Sequence, residues 1–196
     1  MASDDLAFMV TYHGDIQGAW MKEVKQGSEL DVMAGVVDVL VLAPAADGVF
    51  PDRWRVLTLR RATGTRCTGA WEMVHGRIEA GESAEDAARR EVMEETGFPV
   101  ERLYYVTVNP FFMPVNRSVQ LAMVFVAVLP LAVAADGSSD LSVRLSEEHD
   151  MARWLNASEA MMTLAWPSEH EAIRQAMWIL RSGDAGPVED VLLVRP

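Results

Sequence analysis

A nearly unbroken apolar run, Gly-Val-Val-Asp-Val-Leu-Val-Leu-Ala over residues 35–43, sets the first constraint on the fold. β-Branched residues dominate it, and Pro-Ala-Ala-Asp-Gly follows at 44–48 as a turn, so the run reads as a buried strand. Residues 53–61 alternate in polarity and supply a partner strand. Shorter stretches at 70–74, 103–108, 119–128 and 151–155 read as further strands. The segment 109–117, Asn-Pro-Phe-Phe-Met-Pro-Val-Asn-Arg, reads as a loop joining two of them, with Pro114 as a turn proline. Helices are expected over 83–96, 158–164 and 168–181. The last places Ala172, Ile173, Ala176, Met177 and Leu180 on one face. Residues 132–142, rich in Ala, Gly, Ser and Asp, read as a loose connection. Strands and helices interleave, so the fold class is α/β, a mixed sheet between helices.

The chain has 196 residues, enough for one domain with a substantial core and an additional segment. The expected organisation is an N-terminal extension at 1–34, a domain at 35–182 and a C-terminal tail at 183–196. Within the extension, 6–12 reads as a strand and 16–25 as a short helix. The extension is expected to pack on the domain or on a second subunit, the latter giving a homodimer. A net charge of −12 argues against a nucleic acid polymer as partner, because phosphate backbones are bound through basic patches. Metal ions can still bridge an acidic site to a small phosphorylated molecule. The single cysteine, Cys67, excludes a disulfide within the chain. The start, Met-Ala-Ser-Asp-Asp, is acidic where a signal peptide is basic. The apolar runs at 36–42 and 119–129 are too short to cross a bilayer as helices. The expectation is a cytoplasmic protein with no membrane partner.

The chemistry concentrates in residues 76–98, Gly-Arg-Ile-Glu-Ala-Gly-Glu-Ser-Ala-Glu-Asp-Ala-Ala-Arg-Arg-Glu-Val-Met-Glu-Glu-Thr-Gly-Phe. Ser83 is placed to cap a helix, with Asp86 three residues on to reach back, and Gly97 is placed to close it. Ala84, Ala88 and Val92 give a small apolar face at four-residue spacing. On another face Glu91, Glu94 and Glu95 stand at i, i+3 and i+4, where like charges repel and cost helix stability. A hard divalent cation that takes carboxylate oxygens would offset the repulsion. Arg90 lies one turn before Glu94 and can pair with it. The bland alternative, a solvated acidic face, is disfavoured by the glycine-bearing turn from Gly76 to Gly81, whose backbone can approach a metal or phosphate closely.

This segment resembles the Nudix box. Gly76, Glu82, Arg90, Glu91, Val92, Glu94, Glu95 and Gly97 fill its fixed positions, and Phe98 takes its last apolar one. The likeness extends from about residue 35 to 181. It implies a Nudix-type α/β/α sandwich with a loop–helix–loop catalytic motif, and Mg²⁺, with Mn²⁺ as an alternative, held by Glu91, Glu94 and Glu95 and by the backbone near Gly76. It implies a small-molecule substrate in which a nucleoside diphosphate is linked to another group. Arg90 would orient Glu91 or Glu94, and Glu82 would support the site. Glu91 is the candidate base, although the base varies within the family.

Finer resemblance points to the dATP and dihydroneopterin triphosphate pyrophosphohydrolase branch. Trp71-Glu-Met-Val-His75-Gly76 carries Val-His where many members have Pro-Gly, and Glu148-His149-Asp-Met-Ala-Arg153-Trp154 followed by Trp166-Pro167 is similar to that branch. The expected reaction is release of pyrophosphate from a nucleoside triphosphate-like substrate. The alternatives are an ADP-ribose or nucleotide-sugar pyrophosphatase and a module that binds a nucleotide without catalysis. Glu148 is a further candidate metal ligand, weighed against a solvated loop acid. Arg61, Trp71 and His75 are candidate substrate contacts. For Trp71 and Trp154 a core role is favoured over stacking on a base, and alternation sends at most one of Arg60 and Arg61 to the substrate. His75 and His149 read as polar loop residues rather than metal ligands.

Overall fold

The computed structural model describes residues 31–46, 48–115, 117–132 and 142–195. The strand and helix expected within residues 1–30, and all but the ends of the connection expected at 132–142, lie outside the described residues. Seven strands form one sheet: β1 (Asp31–Pro44), β2 (Trp54–Arg61), β3 (Trp71–Glu72), β4 (Val74–Arg77), β5 (Arg102–Met113), β6 (Ser118–Val128) and β7 (His149–Leu155). Four α-helices among the described residues accompany them: α1 (Ala84–Thr96), α2 (Ala157–Thr163), α3 (Pro167–Ile179) and α4 (Glu189–Leu192).

β1 organises the sheet because both its faces are apolar. Val37, Val39, Val41 and Ala43 point to one side and pack with Ala87, Ala88 and Val92 of α1. Leu40 and Leu42 point to the other and pack with Ala160 of α2 and Ala172, Ile173 and Ala176 of α3. A strand with period-two side chains and helices on both faces reads in sequence as a continuous apolar run. The sheet is mixed. β1 runs parallel to β6 from Asp31↔Ser118 to Leu42↔Val128, and its remaining pairings are antiparallel. The result is the α/β/α arrangement.

β1 and β2 pair only at Leu42↔Val56 through Pro44↔Trp54 and then separate. The wedge between them is filled by β3, which pairs with β2, and β4, which pairs with β1. The single strand expected at 70–74 is therefore two, because Met73 marks the step from one neighbour to the other. The buried carboxylate of Glu169, from α3, accepts hydrogen bonds from the Met73 amide at 2.7 Å and the Trp166 amide at 3.3 Å. It satisfies an amide at the interruption of the ladder, where a buried unpaired donor would be costly.

The segment 109–117 is mostly strand rather than loop. β5 continues to Met113, pairs with β6 down to Met113↔Ser118, and leaves Pro114 in the turn. β5 lies at the edge of the sheet, where a residue without an amide hydrogen such as Pro110 is tolerated. β1 begins four residues ahead of residue 35, at Asp31. The last residues contribute a 3-10 turn at Gly186–Val188 and α4, and the Val194 amide donates to the Leu103 carbonyl at 2.8 Å. No helix among the described residues is long and apolar enough to cross a membrane.

α1 has the caps its sequence announces. Ser83 Oγ accepts from the Asp86 amide at 3.1 Å and donates to the Asp86 carboxylate at 2.9 Å. The Asp86 carboxylate thus meets the cap hydroxyl, in place of the reach to the cap backbone that the spacing suggested. Gly97 closes the helix at φ 76°, the left-handed region, and its amide donates to the Met93 carbonyl. A β-carbon at this position would be strained and would approach Arg144 Cβ to 3.1 Å. Gly97→Ala is expected to destabilise the protein by about 1–2 kcal/mol, read from urea unfolding midpoints. An unchanged midpoint would show that the left-handed turn does not constrain the helix end.

Candidate active site

α1 lays its alanine face on the sheet and carries its acids along the rim facing β4, β3 and β7. Arg90 is the hub of the rim. Its Nε and Nη2 donate to the two Glu82 oxygens at 2.9 Å each. Its Nη1 reaches Glu91 at 2.9 Å and Glu94 at 3.1 Å, and its Nη2 also reaches the Arg77 carbonyl at 2.8 Å. Glu82 accepts from the Glu79 amide as well, so the turn before the helix is tied to the helix body. The Arg90 hydrogen bonds hold the Glu82 carboxyl below its usual range.

The three helix glutamates occupy different environments. Glu94 is largely exposed. Glu91 faces inward against β4, and a β-carbon built on Gly76 would fall within its carboxylate. Only glycine permits that approach. Burial raises the Glu91 pKa against the opposing pull of Arg90, and Glu94 adds to the rise. Glu95 is 5% exposed, and its Oε2 has no hydrogen-bond partner. Burial pushes its carboxyl up to about 9, with the negative charges of Glu91, Glu148 and Glu72 adding and Arg61 opposing.

Strands β2, β3 and β7 close the far side. Arg61 Nη1 donates to Glu72 at 3.2 Å and to Glu148 at 2.7 Å. Arg61, a candidate substrate contact, is thus engaged by two acids. Glu148 is more than half exposed in the turn before β7. Arg60 points the other way, to Asp150 at 2.7 Å. The expectation that both histidines are polar loop residues is corrected. His75 lies on β4 with its Nδ1 2.6 Å from Asp38 Oδ1, its partner across the β1–β4 ladder. Burial opposes a charge on His75, but Asp38, with Glu72 and Glu91 further off, raises its pKa above the usual imidazole range. His149 begins β7, is buried, and places Nε2 3.2 Å from Glu72 Oε1.

Trp71 is half-buried with the Arg153 guanidinium 4.7 Å above its ring, and Trp154 packs tilted on Phe98 in the core. Sequence reasoning passed over Glu72, Asp38 and Glu169, and misjudged His149. Each sits on a strand or helix with no local motif, and each has a partner 37 or more residues away.

The donor set fits a hard divalent cation. Its atoms are carboxylate oxygens and nearby backbone, Glu95 Oε2 is a buried acceptor without a donor, and the Gly76 backbone meets Glu91 as a cradle a side chain would fill. Among the described residues no three acids or histidines already converge on one point, and Arg90 holds Glu91 and Glu94.

The NUDIX domain pattern matches residues 41–176. An octanoyltransferase of Myxococcus xanthus is 33% identical over 122 residues, 62% of this chain and 32% of that protein. An NAD-capped RNA hydrolase of Macaca fascicularis is 34% identical over 110 residues, 52% of this chain and 21% of that protein. The chain therefore spans about a third or less of the length of these curated relatives. A crystallised Listeria monocytogenes protein assigned to the NUDIX hydrolases superposes with a TM-score of 0.56 at 23% identity, over 76% of this chain and 95% of that one, and shows the shared fold.

The displaced pKa of Glu95 has a consequence for stability. An acid raised in the folded state contributes stability that is present below its unfolded value, near 4.5, and lost as pH climbs toward about 9. With metal chelated, Glu95→Gln is expected to flatten the fall in urea midpoint across that window and to unfold at higher urea than wild type at alkaline pH. Glu169, raised to about 8, gives a slope of the same sign in both proteins, so the difference isolates Glu95. Superimposable profiles would show that Glu95 carries no buried charge.

Proposed function

The chain belongs to the NUDIX family, and from that premise we propose that it is a divalent-metal-dependent hydrolase of a phosphoanhydride bond in a nucleoside diphosphate-linked small molecule. The observation that carries the proposal is the contact of the Gly76 backbone with the inward-facing Glu91 carboxylate, beside the buried unpaired oxygen of Glu95. A non-catalytic binding module needs neither a set of intact carboxylates nor a glycine kept bare for one of them.

Glu91, Glu94 and Glu95, with the Gly76 backbone and Glu148 from the turn before β7, are the groups that would hold Mg²⁺ or Mn²⁺. Such an ion supplies charge neutralisation to the anhydride oxygens when bound. The chain's own residues do the rest. Arg90 fixes Glu82, Glu91 and Glu94 relative to the Arg77 carbonyl, so the acids keep their places as charge changes around them. Glu91 serves as the base that takes the proton from the attacking water, and its raised pKa moves it toward the neutral range where a general base works best. Charge spreading over the phosphoryl oxygens makes positioning and electrostatics the main catalytic terms. His75, backed by Asp38, and Trp71 offer a polar edge and a ring beside the acids for the substrate.

The finer reading is a nucleoside triphosphate-like substrate, a dNTP such as dATP or dihydroneopterin triphosphate, cut to release pyrophosphate. It rests on the Val74-His75-Gly76 and Glu148-His149 segments. A second reading, a diphosphate joining two groups, as in ADP-ribose or a nucleotide sugar, is favoured by the likeness to a hydrolase of NAD-capped RNA. The net charge of −12 supports a small molecule over a polymer in either case.

Incubation with Mg²⁺ and a panel of dNTPs, dihydroneopterin triphosphate, ADP-ribose, NAD and a nucleotide sugar separates the readings by product. Pyrophosphate from a triphosphate is expected, whereas two monophosphate products would move the assignment to the second. Glu91→Gln is expected to lower kcat by about 10²–10⁴-fold. Its urea midpoint should change little, by under about 1 kcal/mol in stability. Full activity in Glu91→Gln would remove Glu91 as base, and the loss of all activity together with the fold would assign it to stability instead.

A further inference from the structure

His149 and Glu95 are two buried groups that each lack one hydrogen bond, and they face one another. The His149 side chain is fully enclosed, with Nε2 3.2 Å from Glu72 Oε1. Its Nδ1 has no partner among the described residues and stands 3.9 Å from Glu95 Oε2, which also has none. Buried polar atoms are rarely left unsatisfied, and an orphan pair at this separation marks an interaction not yet made. A shift of about 1 Å brings the two to hydrogen-bond distance. Glu95 is the mobile partner, because the imidazole is fixed at its other nitrogen and sits on a strand paired to β2.

The fixing is itself supported. Glu72 is held by Arg61 Nη1, and the same nitrogen holds Glu148. A chain of polar contacts thus runs from Glu148 through Arg61, Glu72 and His149 to Glu95, crossing β2, β3, β7 and α1. Glu72 is ion-paired with Arg61 and lies 3.2 Å from Nε2. One ring nitrogen is committed to the sheet, and the other faces the helix acid.

We propose that His149 is a positioning residue that turns the Glu95 carboxylate, through a hydrogen bond between Nδ1 and Oε2, so that its other oxygen faces the metal site. The inference rests on the metal-dependent reading above. A carboxylate ligand oriented by a second group loses part of its rotational freedom before the ion arrives, which raises affinity without adding a ligand. His149 itself does not touch the ion or the substrate. Its place behind Glu95, rather than beside Glu91, assigns it to metal retention rather than to proton transfer.

The test is Mn²⁺ binding without substrate, followed by calorimetry, for wild type, Glu95→Gln, His149→Phe, His149→Asn and His149→Gln. Asparagine sets an amide nitrogen near the Nδ1 position, and glutamine sets one near Nε2. His149→Phe and His149→Gln are expected to bind Mn²⁺ about 10- to 100-fold more weakly, with His149→Asn within about threefold of wild type. Thermal midpoints in chelator identify any variant that fails to fold, and if His149→Phe does so the Asn and Gln pair decides. Equal loss in Asn and Gln, or unchanged binding in all three, overturns the inference. If Glu95→Gln binds as wild type does, Glu95 is no ligand and the positioning role falls while the hydrolase reading stands. If wild type itself binds no Mn²⁺, the metal-dependent reading fails first and this inference with it.

Discussion

The site depends on one cation placed among acids. Arg90 bonds three glutamates and a strand carbonyl, and without it the rim of α1 would present Glu82, Glu91 and Glu94 to one another with nothing to separate them. Removing the shared cation from this partly buried network would leave its inward acids, Glu82 and Glu91, without their partner, which costs more than the net worth of the pairs. Arg90 therefore makes a helix of this composition tolerable against a sheet. It also connects the glycine turn, the helix and β4, so the local motif is held as one body. Glu95 lies outside its reach and keeps the least satisfied carboxylate in the group.

Much of this was legible because it is local. The α1 caps, the acid spacing and the glycines are all set within residues 76–98, and helix periodicity converts spacing directly into proximity. β1 was legible for a different reason, its apolar run being the signature of a strand covered on both faces. The wedge between β1 and β2 was not. Nothing near Met73 states that the chain there changes neighbours, since the reason is the divergence of two distant strands and the arrival of Glu169 from α3. The β5–β6 hairpin was hidden by Pro110 and Pro114, which read as loop residues until β5 is known to be an edge.

The histidines show the same division. Their residue type says only that they can donate, accept or ligate. His149 acquires a role because β7 pairs with β2 and so delivers it opposite Glu72 and beside Glu95. Asp38 interrupts an otherwise apolar strand, a local irregularity that could have drawn notice. Its cross-strand partner His75 explains why a carboxylate is kept there.

The alanine face of α1 has its own consequence. Ala87 and Ala88 are fully buried against β1, and Val92 follows them, so the distance from the helix axis to the sheet is set by methyl groups. Every acid on the opposite rim inherits that distance. A larger side chain on the buried face would lift the helix and carry Glu91 off the Gly76 backbone, although no acid had been altered. A genetic screen for lost activity would accordingly place these two alanines among its hits, with the ionisable residues, and their inertness would be the reason. Over evolutionary time the freedom of this helix to vary is then narrowest on the side that carries no functional group, while the solvent side can drift.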